Sequence, residues 1–215
     1  MFKEIPLQNK TDGRGMKRSL VYGVGINDAP YQTTIQLNGA TYTCPYFIRW
    51  RTMIGRCYGK TYQKNNPSYS GCTVTPAWHS FMAFKAWMMT QFWQDQQLDK
   101  DLLSKGSKNY SPETCLFVSR QVNSFFNERE ASRGTLPLGI YARKEKFEVG
   151  VSLGAGKRTW VGVYNNVPDA IDAYLQAKAK AAQKLAKEQT DPAIKQAILD
   201  YSEYFTDKHS RLKAG

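Results

Sequence analysis

The amino-acid sequence predicts an α+β protein made of two segments with different patterns. In the first segment, helix-type periodicity is followed by a short hairpin and then a helix, at about residues 97–123. In the second, three strand-type runs between residues 138 and 164 precede one long helix. The second pattern predicts a three-stranded antiparallel sheet packed on one helix.

Changes in composition and pattern divide the chain into four stretches. Residues 1–19 are interpreted as a flexible basic arm, 20–134 as a first domain, 135–190 as a second domain, and 191–215 as a C-terminal helix and tail. The arm either lies along a phosphate backbone or is a disordered terminus, and the second case is the commoner one.

The overall charge narrows the classes of partner. The chain has 30 Lys and Arg residues against 18 Asp and Glu residues, a formal net charge of +12. Basic side chains gain free energy by releasing counterions from phosphates, so a nucleic acid is the expected partner. The alternative is a basic protein without a nucleic-acid partner.

The sequence gives no indication of a membrane location. No apolar run approaches the roughly 20 residues that a membrane span needs, and the start of the chain has no apolar secretory core. We therefore expect a cytoplasmic protein, in a bacterium or in an infected bacterial host.

The stretch after the arm is expected to form strands at residues 20–26, 31–37 and 40–43. Asn38 and Gly39 separate the last two and predict a type I′ hairpin.

Pro45 is expected to open a helix at its first position. The apolar side chains of that helix recur at the spacing of one helix face, at Trp50, Met53, Ile54 and Cys57. Arg49 and Arg51 lie off this face and are candidate DNA contacts.

The central feature of the first domain is the segment 97–123. Asp99, Lys100 and Asp101 follow the first strand-type run, and a polar loop rich in turn residues precedes the second, 116–118. Ser119 is expected to cap a helix that contains Asn123. A hairpin followed by a helix can bring Asp99 and Asn123 together as oxygen ligands of a divalent ion.

This segment resembles the His-Asn-His (HNH) motif of phage homing-type endonucleases, and the whole block 45–123 shares their order of motifs. The resemblance implies a ββα-metal domain in which Asp99 and Asn123 bind Mg²⁺ or Mn²⁺. It places Lys100 where the family has its general-base His, and a protonated lysine cannot take a proton from water. Lys100 would instead neutralise charge on the scissile phosphate, and Asp101 would orient a water or act as the base.

Four cysteines lie in the first domain: Cys44, Cys57, Cys72 and Cys115. None forms a CxxC pair, and buried free thiols are the ordinary outcome in a reducing compartment. A structural Zn²⁺ held by all four thiolates is the alternative, because a fold can gather ligands that are distant in sequence.

The second domain resembles the plant ethylene-response-factor (Apetala-type) DNA-binding domain, which also occurs in phage homing endonucleases. The matching residues include Gly139, Gly156, Gly162, Ala170 and Tyr174. The resemblance implies that the sheet enters the major groove of DNA. It assigns DNA contacts to six residues of the strands and turns: Arg143, Lys144, Lys146, Lys157, Arg158 and Trp160.

Two functions remain open from the sequence. One is a DNA endonuclease or nickase with a sheet-type DNA reader. The other is a catalytically inactive, nuclease-derived protein that binds DNA or a host or phage DNA-processing protein. The oligomeric state and the target site are not determined by any of these patterns.

Overall fold

The computed structural model describes residues 2–7, 18–104, 106–126 and 136–214, with residues 209–214 described by their backbone alone. The described chain is α+β, as predicted, and divides into two compact units. The first unit contains residues 1–94 and 103–117, and the second contains residues 95–102 and 118–215. Part of the predicted arm, 8–17, and residues 127–135, where the predicted first domain meets the second, lie outside the described residues.

The first unit begins its regular structure with a hairpin of β1 (Thr34–Leu37) and β2 (Ala40–Thr43). Asn38 and Gly39 form the turn, and both have positive φ, 51° and 75°. Positive φ at both central residues is what a type I′ turn requires, so the predicted hairpin is confirmed.

The core of the first unit lies between α1 (Pro45–Tyr58) and α3 (Phe81–Met89), with the short α2 (Lys60–Asn65) after α1. The predicted apolar face of α1 is confirmed, since its four residues are each at most 4% exposed. The Trp50 indole Nε1 donates a 2.8 Å hydrogen bond to the Trp78 carbonyl, which satisfies its polar atom inside the core. A parallel pair, β3 (Thr73–Val74) and β5 (Asn109–Tyr110), completes the unit.

The predicted strand at 20–26 is wrong. Val21 and Gly25 instead close a tight turn, with the Val21 amide donating a 2.8 Å bond to the Gly25 carbonyl. Tyr22 and Gly23 have φ of 51° and 77°, and such values are incompatible with an extended strand. Gly25 lies against Trp50, where an added Cβ would be 2.8 Å from the indole ring.

Residues 2–7, predicted to be part of a flexible arm, lie along the chain near Tyr31. Pro6 forms an antiparallel bridge with Tyr31, and the Leu7 amide donates to the Pro30 carbonyl. The buried Lys85 ammonium binds the Glu4 carboxylate and, at 3.0 Å, the Tyr31 hydroxyl. The start of the described chain is therefore anchored by an ion pair and backbone bonds.

The second unit contains β4 (Gln97–Asp99) and α4 (Arg120–Phe126). β4 is paired with β6 (Leu116–Val118), the strand in which the chain passes into this unit. The Ser119 hydroxyl accepts a hydrogen bond from the Val122 amide at 3.2 Å, so the predicted cap of α4 is confirmed.

The largest part of the second unit is the three-stranded antiparallel sheet β7 (Ile140–Arg143), β8 (Lys146–Gly154) and β9 (Lys157–Tyr164). One side of it packs on α5 (Val167–Lys187), with Val149, Val151 and Tyr174 in the shared core. This confirms the predicted sheet and helix. The predicted C-terminal helix, α6 (Pro192–Ala214), packs on α5 and adds Phe205 to the same core.

Helix α4 belongs to the same compact unit as the sheet, whereas the sequence interpretation placed it in the first domain. The Ala155 amide donates a 2.6 Å bond to the Ser124 hydroxyl. The Lys178 ammonium on α5 donates a 2.6 Å bond to the Phe125 carbonyl at the end of α4. These contacts join α4 to the β8–β9 turn and to α5.

Candidate nucleic-acid interface

The three-stranded sheet has a second side, facing away from α5, which we call the open face. Residues that alternate with the core residues along each strand form it. The cross-strand pairs Arg143 with Lys146, Tyr141 with Glu148, and Gly150 with Trp160 set their order. The open face comprises Tyr141, Arg143, Lys146, Glu148, Gly150, Ser152, Arg158, Trp160 and Val163.

The Arg158 side chain extends across the middle of the open face to Tyr141. Its guanidinium carbon is 4.1 Å from the centre of the Tyr141 ring. Arg158 is paired with Ser152, which lies four residues along β8 from Glu148, the partner of Tyr141. To reach Tyr141 the side chain crosses Gly150, where an added Cβ would lie 2.3 Å from the Arg158 Nε. Gly150 thus provides the space that this stacked arrangement needs.

Trp160 projects from the same surface beside Arg158. It is 64% exposed, and Val163 and Tyr141 are 42% and 49% exposed. Several exposed apolar side chains on one face of a sheet are a feature of binding surfaces. Trp160 and Arg158 offer one flat apolar surface and one planar cation.

The predicted lysines lie at the rims of the open face. Lys146 starts β8, Lys144 is in the β7–β8 turn with φ of 56°, and Lys157 starts β9. All three are exposed. Arg143 forms an exposed 3.2 Å ion pair with Glu148, and a pair of this kind contributes little to stability.

All six residues of the second domain that were predicted to contact DNA therefore lie on the open face or in its turns. Arg49 and Arg51 lie elsewhere, on α1 of the first unit, where Arg51 is exposed and Arg49 is half-buried. Tyr141 and Gly150 were not identified from the sequence. The alternation of β7 could have indicated Tyr141, whereas the need for a glycine at 150 depends on a side chain from another strand.

The Asp99 segment forms a tight turn at the end of β4. Asp99 Oδ1 accepts hydrogen bonds from the Leu102 amide at 2.7 Å and from the Asp101 amide at 3.0 Å. Burial raises the pKa of the Asp99 carboxyl, these two amides lower it, and the Asp101 charge raises it further; the net direction is upward. Its second oxygen, Oδ2, accepts no hydrogen bond from the described residues.

Asn123 on α4 is directed towards β4 by a hydrogen bond from its Nδ2 to the Gln97 Oε1. Gln97 and Asp99 are alternate residues of one strand, so their side chains leave β4 on the same side. Asn123 thus lies on the side of β4 that carries Asp99. Gln97 was not identified as a site residue, and its spacing of two from Asp99 is the signal that could have found it.

Lys100 and Asp101 form an ion pair with each other. The Lys100 side chain is buried, whereas that of Asp101 is 57% exposed. The Asp101 carbonyl also accepts a 3.2 Å hydrogen bond from the Tyr201 hydroxyl on α6. An ammonium group has no lone pair, so Lys100 in this paired state cannot act as a general base.

The four cysteines are buried free thiols. Among the residues that the structure describes, no three or more His, Cys, Asp or Glu side chains form a group suited to a metal ion. The zinc hypothesis therefore rests on the sequence alone. Asp99 Oδ2 and Asn123 Oδ1 accept no hydrogen bond from the described residues, and the predicted Mg²⁺ or Mn²⁺ ion remains a hypothesis from the sequence.

Comparison with protein-family models, with curated proteins and with solved structures found no match to this chain. Among the described residues, no helix has the length and apolar character that spanning a membrane requires.

Proposed function

We propose that the protein binds double-stranded DNA through the open face of its three-stranded sheet. The observation that carries the proposal is the stacking of Arg158 on Tyr141 across Gly150, beside the exposed Trp160. This arrangement holds a planar guanidinium and an aromatic ring at the centre of an otherwise solvated sheet.

The chemistry of these groups matches that of a DNA groove. The guanidinium of an arginine can donate two hydrogen bonds to guanine O6 and N7. A guanidinium held against an aromatic ring is already oriented before DNA binds. Trp160 provides apolar contact with a base methyl or a sugar. Specificity would come from Arg158 and Trp160 at the centre of the face.

The lysines around the face would contribute affinity. Lys144, Lys146 and Lys157 are exposed at the strand ends and turns, where they can reach phosphates on either side of a groove. The net charge of +12 adds long-range attraction. The resemblance of residues 136–187 to the Apetala-type domain points to the same face.

The test is fluorescence anisotropy with short labelled duplexes at about 50 to 300 mM salt. Arg158→Ala and Trp160→Ala are expected to weaken binding at least tenfold, with Arg158→Ala also reducing discrimination between sequences. Lys180→Ala is the matched control, because Lys180 is an exposed lysine on α5, on the other side of the sheet. Equal affinities for the wild type, Arg158→Ala and Trp160→Ala would reject the proposal.

We infer as a second candidate function that the Asp99 turn supports metal-assisted DNA hydrolysis or nicking. The observation that favours it is the Asn123–Gln97 hydrogen bond, which places Asn123 on the Asp99 side of β4. A divalent ion held by Asp99 and Asn123 would stabilise the leaving oxygen of a phosphodiester. Asp101 is the exposed carboxylate that could orient a water. Lys100 is buried and paired with Asp101, so it would neutralise phosphate charge only after this ion pair opens.

The nuclease candidate is tested by nicking of supercoiled DNA with Mn²⁺. Loss of nicking in Asp99→Ala would support chemistry at the turn. An inactive wild type that gains nicking as Lys100→His would indicate a nuclease scaffold kept for binding. If none of the three proteins cuts DNA, the nuclease candidate is rejected, and a DNA-processing protein becomes the partner to seek.

A further inference from the structure

A second basic site lies in the first unit, around the half-buried Arg56 in the last turn of α1. The Arg56 Nε is inaccessible to water and has no hydrogen-bond partner among the residues that the structure describes. Such an orphaned group is costly, because the free energy of its lost hydration is not recovered. We name its surroundings the Arg56 cluster: Arg56, Tyr62, Tyr69 and Tyr110.

The cluster contains tyrosines and no carboxylate. The Arg56 guanidinium carbon is 5.6 Å from the centre of the Tyr69 ring, and the Tyr62 ring packs edge-on against Tyr69 at 5.5 Å. Tyr110 is buried and lies near enough to raise the pKa of Arg56 electrostatically. Burial raises the pKa of Tyr110, so this hydroxyl stays neutral and cannot serve as the counter-ion of Arg56.

The lack of an acidic partner extends well beyond the cluster. No Asp or Glu occurs between residues 29 and 94, a stretch that contains Arg49, Arg51, Arg56 and three lysines. Within the described part of the chain, no carboxylate forms an ion pair with Arg56. A guanidinium held in this way lacks the anion that would offset its desolvation.

Arg56 is also not needed to complete the end of α1. The Gln63 side-chain amide donates to the Cys57 carbonyl at 2.5 Å and is 3.4 Å from the Arg56 carbonyl. Gln63 therefore satisfies carbonyls that a C-terminal arginine often binds. The Arg56 guanidinium remains directed at the tyrosines instead.

Exposed lysines surround the cluster. Lys60 and Lys64 flank Tyr62 on α2, and the Lys108 ammonium binds the Ser68 carbonyl next to Tyr69 at 2.8 Å. We propose that the Arg56 cluster, with these three lysines, binds a phosphate group of a nucleic-acid backbone. The guanidinium and tyrosine hydroxyls would donate to phosphate oxygens, and the lysines would engage the neighbouring phosphates.

This second DNA contact is additional to the proposed sheet interface. The salt dependence of DNA binding by the full chain distinguishes the two contacts. Neutralising one phosphate-binding group is expected to reduce the slope of log K against log[salt] by about 0.9. Arg56→Gln should show this change with about tenfold weaker binding, whereas Arg56→Lys should keep the slope. Lys195→Gln, an exposed lysine on α6, is the control and should leave both unchanged.

A second variant keeps the proposal testable if Arg56→Gln does not fold. Lys60→Gln/Lys64→Gln changes only exposed side chains, and its slope should fall by more than 1. Wild-type slopes in both variants would overturn the proposal. Thermal stabilisation by inorganic phosphate that requires Arg56, without any change in the DNA slope, would also overturn it and indicate a free phosphate ligand. If DNA binding is weakened by Arg56→Gln but not by Arg158→Ala or Trp160→Ala, the sheet interface is rejected instead.

Discussion

Gly154, in the β8–β9 hairpin, lies directly against the Gln121 carbonyl of α4. A Cβ at this position would be 2.1 Å from that oxygen, and φ at Gly154 is +82°. The β8–β9 hairpin of the proposed DNA-binding sheet and helix α4, which carries Asn123, are therefore in backbone contact. This contact explains why α4 belongs to the second unit.

Gly154→Ala is expected to destabilise the protein strongly. A left-handed conformation costs a non-glycine residue about 1–2 kcal/mol, and the backbone clash with α4 adds to that cost, for a total of roughly 3 kcal/mol or more. Urea unfolding measures the change. Gly156→Ala is the matched control, because Gly156 also has positive φ but nothing within 4 Å of an added Cβ. Equal destabilisation by the two variants would contradict the close contact.

Gly150→Ala is expected to affect binding more than stability. The atom that an added Cβ would meet belongs to the flexible, exposed Arg158 side chain, which can move away at little cost. Its guanidinium would then leave the Tyr141 ring, so DNA affinity should fall by a factor similar to that of Arg158→Ala. The double variant with Arg158→Ala should bind no more weakly than either single variant. Full additivity of the two losses would disprove this prediction.

The Asp99 turn makes stability depend on pH in metal-free buffer. Burial raises the pKa of Asp99 above its unfolded value of about 3.9, so the native state binds the proton more tightly. Stability contributed by this residue is complete below the unfolded pKa and is lost as pH rises through the native pKa.

Asp99→Asn removes this loss, because an amide keeps an oxygen for the Leu102 and Asp101 amides but carries no charge. Relative to the wild type, the variant should gain stability as pH rises from 3 towards 7. Chemical denaturation in EDTA across this range measures the difference. A difference that is constant with pH would show that Asp99 titrates normally in the native state.

Lys178 is expected to stabilise the junction of α4, α5 and the sheet. Its ammonium donates to the Phe125 carbonyl at 2.6 Å and the Ser152 carbonyl at 3.3 Å, and lies 3.4 Å from the centre of the Phe125 ring. Lys178→Met leaves both carbonyls without this donor, at a cost of about 1–3 kcal/mol. Amide exchange in α4 should accelerate as well. Lys180 is exposed on the same helix, so Lys180→Met should change neither stability nor amide exchange in α4. Equal effects of the two variants on these quantities would contradict the role of Lys178.

Much of the local structure could be predicted from the sequence, for local reasons. Pro45 opens α1, Asn38 and Gly39 form the type I′ turn, and Ser119 caps α4. Each depends on the conformational preference of one or two residues, which the surrounding chain does not reverse. The strand expected at 20–26 is absent because Tyr22 and Gly23 have positive φ and form a turn. That turn places Gly25 against Trp50, a residue distant in sequence, so the local pattern did not reveal it.

The candidate sites also combine features that the sequence predicts with features that depend on tertiary contacts. The alternation of the strands and the charge of the turns determined by themselves a basic three-stranded sheet on one helix, with Arg158 and Trp160 on one strand. Only the tertiary structure decided that Gly150 makes room for Arg158, that Gln97 holds Asn123, and that Arg56 lies among tyrosines without an acid. Those relationships join residues from separate elements, and their distances depend on the packing of the whole unit rather than on any local preference.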